Sequence, residues 1–167
     1  MLEGFAPIAD NKARILILGT MPSVASLKTN QYYGHPQNAF WPIIFSLWDE
    51  EPPADYNKRV SYLIAKKIAL WDVLQFCERE GSADSAIKRP IPNDFVSLAK
   101  ICPDLETVFF NSLNASQLFK KLVKPDAFEF LPKIVLPSTS PARAMRFEKK
   151  RQMWLSVRIA LEQSNNV

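Results

Sequence analysis

Residues 14–23 read Arg-Ile-Leu-Ile-Leu-Gly-Thr-Met-Pro-Ser, and this stretch decides the fold. Four consecutive aliphatic side chains leave no polar alternation, so neither face of the strand they form can look at water. Strands buried on both faces belong to parallel sheets covered by helices. Three more runs of the same kind follow: Ile-Ala-Leu-Trp-Asp-Val at 68–73, Thr-Val-Phe-Phe-Asn at 107–111 and Lys-Ile-Val-Leu-Pro at 133–137. Between and after them, apolar residues recur at helical spacing. The predicted helices cover 40–48, 57–67 (Val60, Leu63 and Ile64 on one face), 93–101, 115–123 and 142–163. The last of these turns Met153, Trp154, Val157, Ala160 and Leu161 inward. The order β-α-α-β-α-β-α-β-α predicts an α/β protein, a three-layer α/β/α sandwich around a central, mainly parallel four-stranded sheet. A chain of 167 residues suits a single domain over 1–167.

Composition narrows the classes. Hydrophobic residues at 47% and charged residues at 23% are ordinary for a folded domain and exclude a disordered chain. No apolar run approaches the ~18 residues of a membrane span, and the N-terminus lacks a basic segment followed by an apolar one. A cytoplasmic, nucleoid-associated monomer is therefore expected. Cys77, Cys102 and the single histidine, His35, match no metal spacing, and neither a metal nor a cofactor is expected. The net charge of +4 is concentrated: residues 138–158 hold Arg143, Arg146, Lys149, Lys150, Arg151 and Arg158 against Glu148, while the rest of the chain is close to neutral. On charge alone, polyanion binding and a solvated helix face fit equally.

In a sheet of this type, ligands bind at the carboxyl ends of the strands. The residues there are Gly19–Ser26, Asp72, Asn111–Asn114 and Ser138–Arg143. The first segment, Gly-Thr-Met-Pro-Ser-Val-Ala-Ser, has too few glycines for a dinucleotide turn and no Gly-Lys-Ser/Thr for a phosphate loop. The last, Leu-Pro-Ser-Thr-Ser-Pro-Ala-Arg-Ala at 136–144, places small hydroxyls and two prolines ahead of the basic helix. Its hydroxyls suit phosphate oxygens, and Ser140 also suits an N-cap with Pro141 at the first helical position. Asp72 is the one acidic residue directly at a strand end, so a pair of carboxylates or a two-metal centre is not indicated. Amides, hydroxyls and aromatics gather instead. Such a set holds a planar neutral ring by stacking and edge hydrogen bonds, and it can orient a water molecule.

Three segments, in this order, carry a family resemblance: "LILGTMPS" after the first strand, "YYGHPQNAFW" (32–41) leading into the next helix, and "LPSTSPA" after the last strand. Together with "ALWDVL" and "VFFNS", they resemble the uracil-DNA glycosylase superfamily, and most closely its hypoxanthine-DNA and mismatch-specific uracil-DNA glycosylase branch. The resemblance spans about residues 10–160. It implies base excision: a deaminated base (hypoxanthine, or else uracil or xanthine) is flipped from damaged DNA, single- or double-stranded, and its N-glycosidic bond is hydrolysed to leave an abasic site.

The resemblance also implies roles, residue by residue. Asn38 orients the attacking water, because Met21 occupies the place where many members carry an Asp or Asn. Tyr33 is the platform on which the base stacks. Asn111 reads the base edge, with a strand-end cap as the alternative, while Ser26 and Met21 line the base pocket. Pro141, Ala142 and Arg143 form the wedge that fills the gap left by the flipped base. Ser138 and Ser140 bind phosphates, supported by the charges of Arg146 and Lys150. A catalytically silent DNA-binding module of the same fold is the alternative. His35, conspicuous as the only histidine, is read as structural, and Tyr32, Phe40 and Trp41 as core.

Overall fold

The four apolar runs form one sheet in the computed structural model, which describes residues 1–164. In chain order the elements are β1 (Leu2–Glu3), β2 (Ile15–Gly19), α1 (Val24–Thr29), α2 (Phe40–Ser46), α3 (Tyr56–Ala65), β3 (Ile68–Asp72), β4 (Leu74–Glu78), β5 (Lys88–Pro92), α4 (Phe95–Ile101), β6 (Thr107–Asn111), α5 (Leu113–Leu122), β7 (Lys133–Leu136) and α6 (Phe147–Ser164). The central sheet has the order β3-β2-β6-β7, and all its pairings are parallel. Every residue of β2 and β3 is buried, as continuous hydrophobicity requires. Against the reading of all four runs as buried on both faces, β7 lies at the sheet edge, and only its Leu136 is buried while Ile134 and Val135 are exposed.

Helices cover both faces. On one, α2 packs against α6 through Phe40 and Trp154, with ring centroids 6.0 Å apart, and against α3 through the stacked Phe45 and Tyr62. On the other, Phe95 of α4 meets Trp71 of β3, and Phe119 of α5 meets Phe110 of β6. The result is the expected α/β/α arrangement. The chain passes from β2 outward to β3, then crosses back over β2 to β6. That reversal puts the topological switch point between β2 and β6, between the strand ends at Gly19 and Asn111, the place where sheets of this type bind ligands.

Four further features differ from the sequence reading. The run at 68–73 ends at Asp72, and after Val73 the chain enters a second, antiparallel sheet of order β1-β4-β5. Its strands were hidden because β1 has two residues and β5 contains Pro90 and Pro92, which only an edge strand tolerates. Asn93, buried, pins the corner by donating its amide to the Asp72 carbonyl at 2.8 Å. The short helix α1 was not anticipated; Ser23 caps it by accepting from the Ser26 N–H. Ile64 and Met153, expected inward, are 37% and 46% exposed, because each sits to the side of its helix's buried stripe.

The fourth difference concerns α6, which begins at Phe147 and not at Ala142. Residues 140–143 form a β-turn in which the Arg143 N–H donates to the Ser140 carbonyl at 3.0 Å, with Pro141 at the position where its fixed φ suits a turn. Ser140 therefore caps a turn, its hydroxyl oxygen accepting from the Ala142 N–H at 3.2 Å, and does not cap a helix.

Candidate active site

The backbone after β2 places Gly19 between two side chains. A Cβ at Gly19 would lie 2.5 Å from Asp72 Oδ1 and 2.9 Å from the Tyr33 hydroxyl. Only glycine leaves room for both groups over the switch point. Tyr33 reaches this place from the loop between α1 and α2, and it does so with a φ of +52°, a left-handed conformation rare for a bulky residue. Three contacts hold it there. Its ring stacks on Phe40 at 4.1 Å, its hydroxyl accepts from Asn111 Nδ2 at 3.1 Å, and the neighbouring Gly34 N–H donates to Ser26 Oγ at 3.0 Å. One face of Tyr33 is thus taken by Phe40.

Asn38 opens α2. Its side-chain oxygen accepts from the Phe40 N–H at 2.9 Å, which fixes which end of the amide is oxygen and which way it points. An amide oxygen has two lone pairs, so one remains for a water molecule, and the Nδ2 hydrogens are unengaged among the described residues. The loop before it is braced by His35, whose carbonyl accepts from the Asn38 N–H at 3.0 Å and whose Nδ1 accepts from the Gln37 N–H at 3.1 Å. His35 is exposed and has this bracing role, as the sequence reading expects.

Asn111 departs from expectation. Both of its N–H donors are committed, to Tyr33 and to Thr139 Oγ1 at 2.9 Å, and its oxygen accepts from the Thr139 N–H at 2.9 Å. A single lone pair is left, too little to read a base edge. The strand-end cap is what the structure builds, extended into a tie between the Tyr33 loop and the 138–143 loop. Ser26 also differs, because its buried hydroxyl oxygen accepts from Gly34 and from the Ser23 hydroxyl, so it supports the Tyr33 loop from below. Met21 is buried within the core cluster.

Asp72 is a buried acid with spare capacity. It is 4% exposed, and its Oδ2 has no hydrogen-bond partner among the described residues. Burial pushes its carboxyl up to about 7; the charge of Asp84 adds to the effect and Arg79 opposes it. The same environment pushes the Tyr33 hydroxyl well above the ordinary tyrosine range, with burial as the main cause and the Asp72 charge next. Sequence reasoning noted Asp72 as a strand-end acid but gave it no role. The signal that could have found it is an aspartate inside an otherwise apolar strand, where a carboxyl persists only with partners or a task.

Around Asp72, the loop 79–84 fastens the turn after β2. Arg79 donates to the Pro22 carbonyl, Thr20 donates to Asp84 Oδ2 at 3.1 Å, and the Val24 N–H donates to Ser82 Oγ at 2.9 Å. A separate surface cleft of about 610 Å³, between β1 and the β4–β5 hairpin, includes Arg79 but none of Tyr33, Asn38, Asp72 or Asn111.

The basic segment divides. Arg151 donates to the Ser46 carbonyl at 2.8 Å and Arg158 to the Leu47 carbonyl at 2.6 Å, so both cap the end of α2, where cations suit the helix dipole. Lys150 is buried, with Nζ donating to the Ser140 carbonyl at 3.1 Å; burial, then the charge of Arg143, lower its pKa. It supports the turn from behind, which corrects its assignment to DNA. Arg143, Arg146 and Lys149 remain exposed and make no ion pair among the described residues. Beside them Pro141 and Ala142 stand in solvent at the tip of the turn. Ser138 Oγ accepts from the Ser140 N–H at 3.1 Å, leaving its hydroxyl proton to donate outward.

The comparisons agree with this fold. A sequence model described as "Uracil DNA glycosylase superfamily" matches residues 6–161. A protein of Methanosarcina barkeri named hypoxanthine DNA glycosylase is 35% identical over 153 residues, covering 91% of this chain and 94% of its own. One of the same name from Methanosarcina acetivorans is 37% identical over 151 residues, covering 90% and 92%. The solution NMR structure of a candidate uracil DNA glycosylase from Methanosarcina acetivorans superposes with a TM-score of 0.82 at 34% identity, over 96% of this chain and 98% of that one. With all three motif segments inside the matched span, the chain belongs to the uracil DNA glycosylase superfamily.

Proposed function

We propose that this chain, acting as one domain, removes a deaminated base from DNA by hydrolysing its N-glycosidic bond, and that hypoxanthine is the preferred base. The observation that carries the reading lies at the carboxyl end of β2, where the hydroxyl of Tyr33 and the buried Asp72 carboxyl, with its unpartnered oxygen, both close on Gly19. The name shared by the two curated relatives supports the choice of base.

In this reading the turn at 140–143 enters the duplex while Arg143, Arg146 and Lys149 hold phosphates. The flipped base stacks on the face of Tyr33 opposite Phe40, a contact worth ~1–3 kcal/mol. Asp72, neutral when its carboxyl is protonated, offers one donor and one acceptor, which complements the N–H and C=O of a lactam edge. Hypoxanthine, xanthine and uracil share that edge; adenine's amino group and ring nitrogen also supply one donor and one acceptor, so the carboxyl binds the lactam edge without by itself excluding adenine. The free lone pair of Asn38 Oδ1 orients a water toward C1′ as the bond to the base lengthens and positive charge grows on the sugar. An amide is a weak base, and it suffices because a departing base leaves an electrophilic centre that needs little activation of the nucleophile.

Incubating the protein with duplex and single-stranded oligonucleotides containing inosine, uracil or xanthine, followed by alkaline cleavage at abasic sites, tests the reading. Strand scission at inosine is expected. No scission on any lesion, alongside salt-dependent binding, would favour a DNA-binding module, a reading that the apolar Met21 in the first motif keeps in play.

A further inference from the structure

Thr139 was passed over by the sequence reading, which singled out the serines on either side of it. The structure buries it to 1% exposure and uses three of its polar atoms. Its N–H donates to Asn111 Oδ1 and its Oγ1 accepts from Asn111 Nδ2, both at 2.9 Å. Its carbonyl accepts from the Ala39 N–H at 3.0 Å, immediately after Asn38. The same Asn111 amide holds the Tyr33 hydroxyl. On its other side, Thr139 adjoins Ser140, whose carbonyl is gripped by Lys150 and which starts the exposed turn. One buried residue therefore lies on the path from the turn to both the stacking platform and the water-binding amide.

We infer that Thr139 is a positioning residue that makes seating of the 140–143 turn on DNA and alignment of Asn38 and Tyr33 a single event. Displacing the turn moves the Thr139 carbonyl, and with it the start of α2. Displacing the Thr139 side chain releases one N–H of Asn111 and loosens Tyr33. The protein then has its reacting groups in register only when the turn is in place, which ties hydrolysis to a filled gap in the duplex. The inference rests on the glycosylase reading for its consequence in catalysis, but the mechanical link can be measured without it.

Two variants separate the link from general packing. Thr139→Val keeps the shape and removes the hydroxyl acceptor, and Thr139→Ser restores it. Ala39→Pro removes the N–H that reaches the Thr139 carbonyl, at a residue whose φ of −84° is within reach of proline, and leaves Thr139 intact. The first readout is hydrogen exchange on binding a duplex with a tetrahydrofuran abasic site. In the wild type, residues 35–40 and 138–143 should both gain protection. In Thr139→Val and Ala39→Pro, 138–143 should still gain it and 35–40 should not. The second readout is single-turnover base release, expected to fall by about 10²-fold in Thr139→Val, the scale of a small misplacement of reacting groups. DNA affinity should stay within about twofold, and Thr139→Ser should recover most of the rate. Protection of 35–40 that persists in a folded Thr139→Val or Ala39→Pro overturns the inference. So does a Thr139→Ser protein that behaves like Thr139→Val. If the wild type releases no base from any lesion, the glycosylase reading fails while the exchange result still decides the link.

Discussion

Asn111 Nδ2 donates to the Tyr33 hydroxyl at 3.1 Å, joining residues 78 apart in sequence above the glycine that ends β2. This bond holds a bulky residue in a left-handed conformation, a state that costs on the order of 1–3 kcal/mol and persists only when its surroundings impose it. It also explains why the amide of Asn111 is not available to a base. The site is built by giving one side chain to architecture so that another can be held rigidly for use.

Asn38 should be needed for chemistry and not for binding. Asn38→Ala is expected to lower single-turnover base release by about 10²-fold or more, the usual worth of a positioned catalytic group. Fluorescence anisotropy should find its DNA affinity unchanged. Equal rates in the variant and the wild type would remove Asn38 from the mechanism.

Asp72 gives a pH signature. Its carboxyl is raised to about 7 in the fold, so between the ordinary carboxylate range and about 7 the native state binds a proton that the unfolded chain does not. The stability this group contributes is present in full at low pH and is lost as pH rises toward about 7. Base release should decline across the same upper limit, because the carboxylate can no longer donate to the base. Asp72→Asn, neutral at every pH, should flatten both profiles. The charged neighbours that set the window are Asp84, which raises it, and Arg79, which lowers it. A wild-type rate profile flat from pH 6 to 9, about a unit below to two above that pKa, would take the proton out of base reading.

Gly19→Ala should be disproportionately harmful for one added methyl. The new Cβ would meet Asp72 Oδ1 at 2.5 Å and the Tyr33 hydroxyl at 2.9 Å, and both groups are held by packing. Overpacking of this kind costs ~1–3 kcal/mol. Thermal melts should show that loss, and base release should fall further than stability alone accounts for.

Salt titrations should distinguish the six cations of 138–158. Replacing Arg143, Arg146 and Lys149 by alanine is expected to reduce the slope of log affinity against log salt by about 0.9 for each phosphate that is no longer neutralised. Arg151→Ala and Arg158→Ala should leave the slope unchanged, since both cap α2. Lys150→Met should act on the turn, lowering stability and base release together.

The sequence alone determined the central sheet. Unbroken apolar runs such as Ile15–Leu18 and Ile68–Leu70 can be satisfied only between two layers, and the helical stripes between them supply those layers. Strand ends could be read for the same reason, which brought Asp72, Asn111 and the 138–143 loop into view, whereas Tyr33 and Asn38, between α1 and α2, were marked only by the family resemblance. The antiparallel sheet β1-β4-β5 was not legible, since its short, proline-bearing strands depend on partners far along the chain. Tertiary structure alone decided how each polar group is spent. Composition counts six cations, but only the fold turns Lys150 inward and Arg151 and Arg158 onto helix carbonyls. Motif order put Asn111 at the site, yet whether its amide is free depends on Thr139 and Tyr33 arriving from distant segments. Hydrophobic burial is recorded locally, in periodicity. The saturation of a donor or acceptor is a property of whatever lies within about 3 Å in space, and no local pattern encodes it.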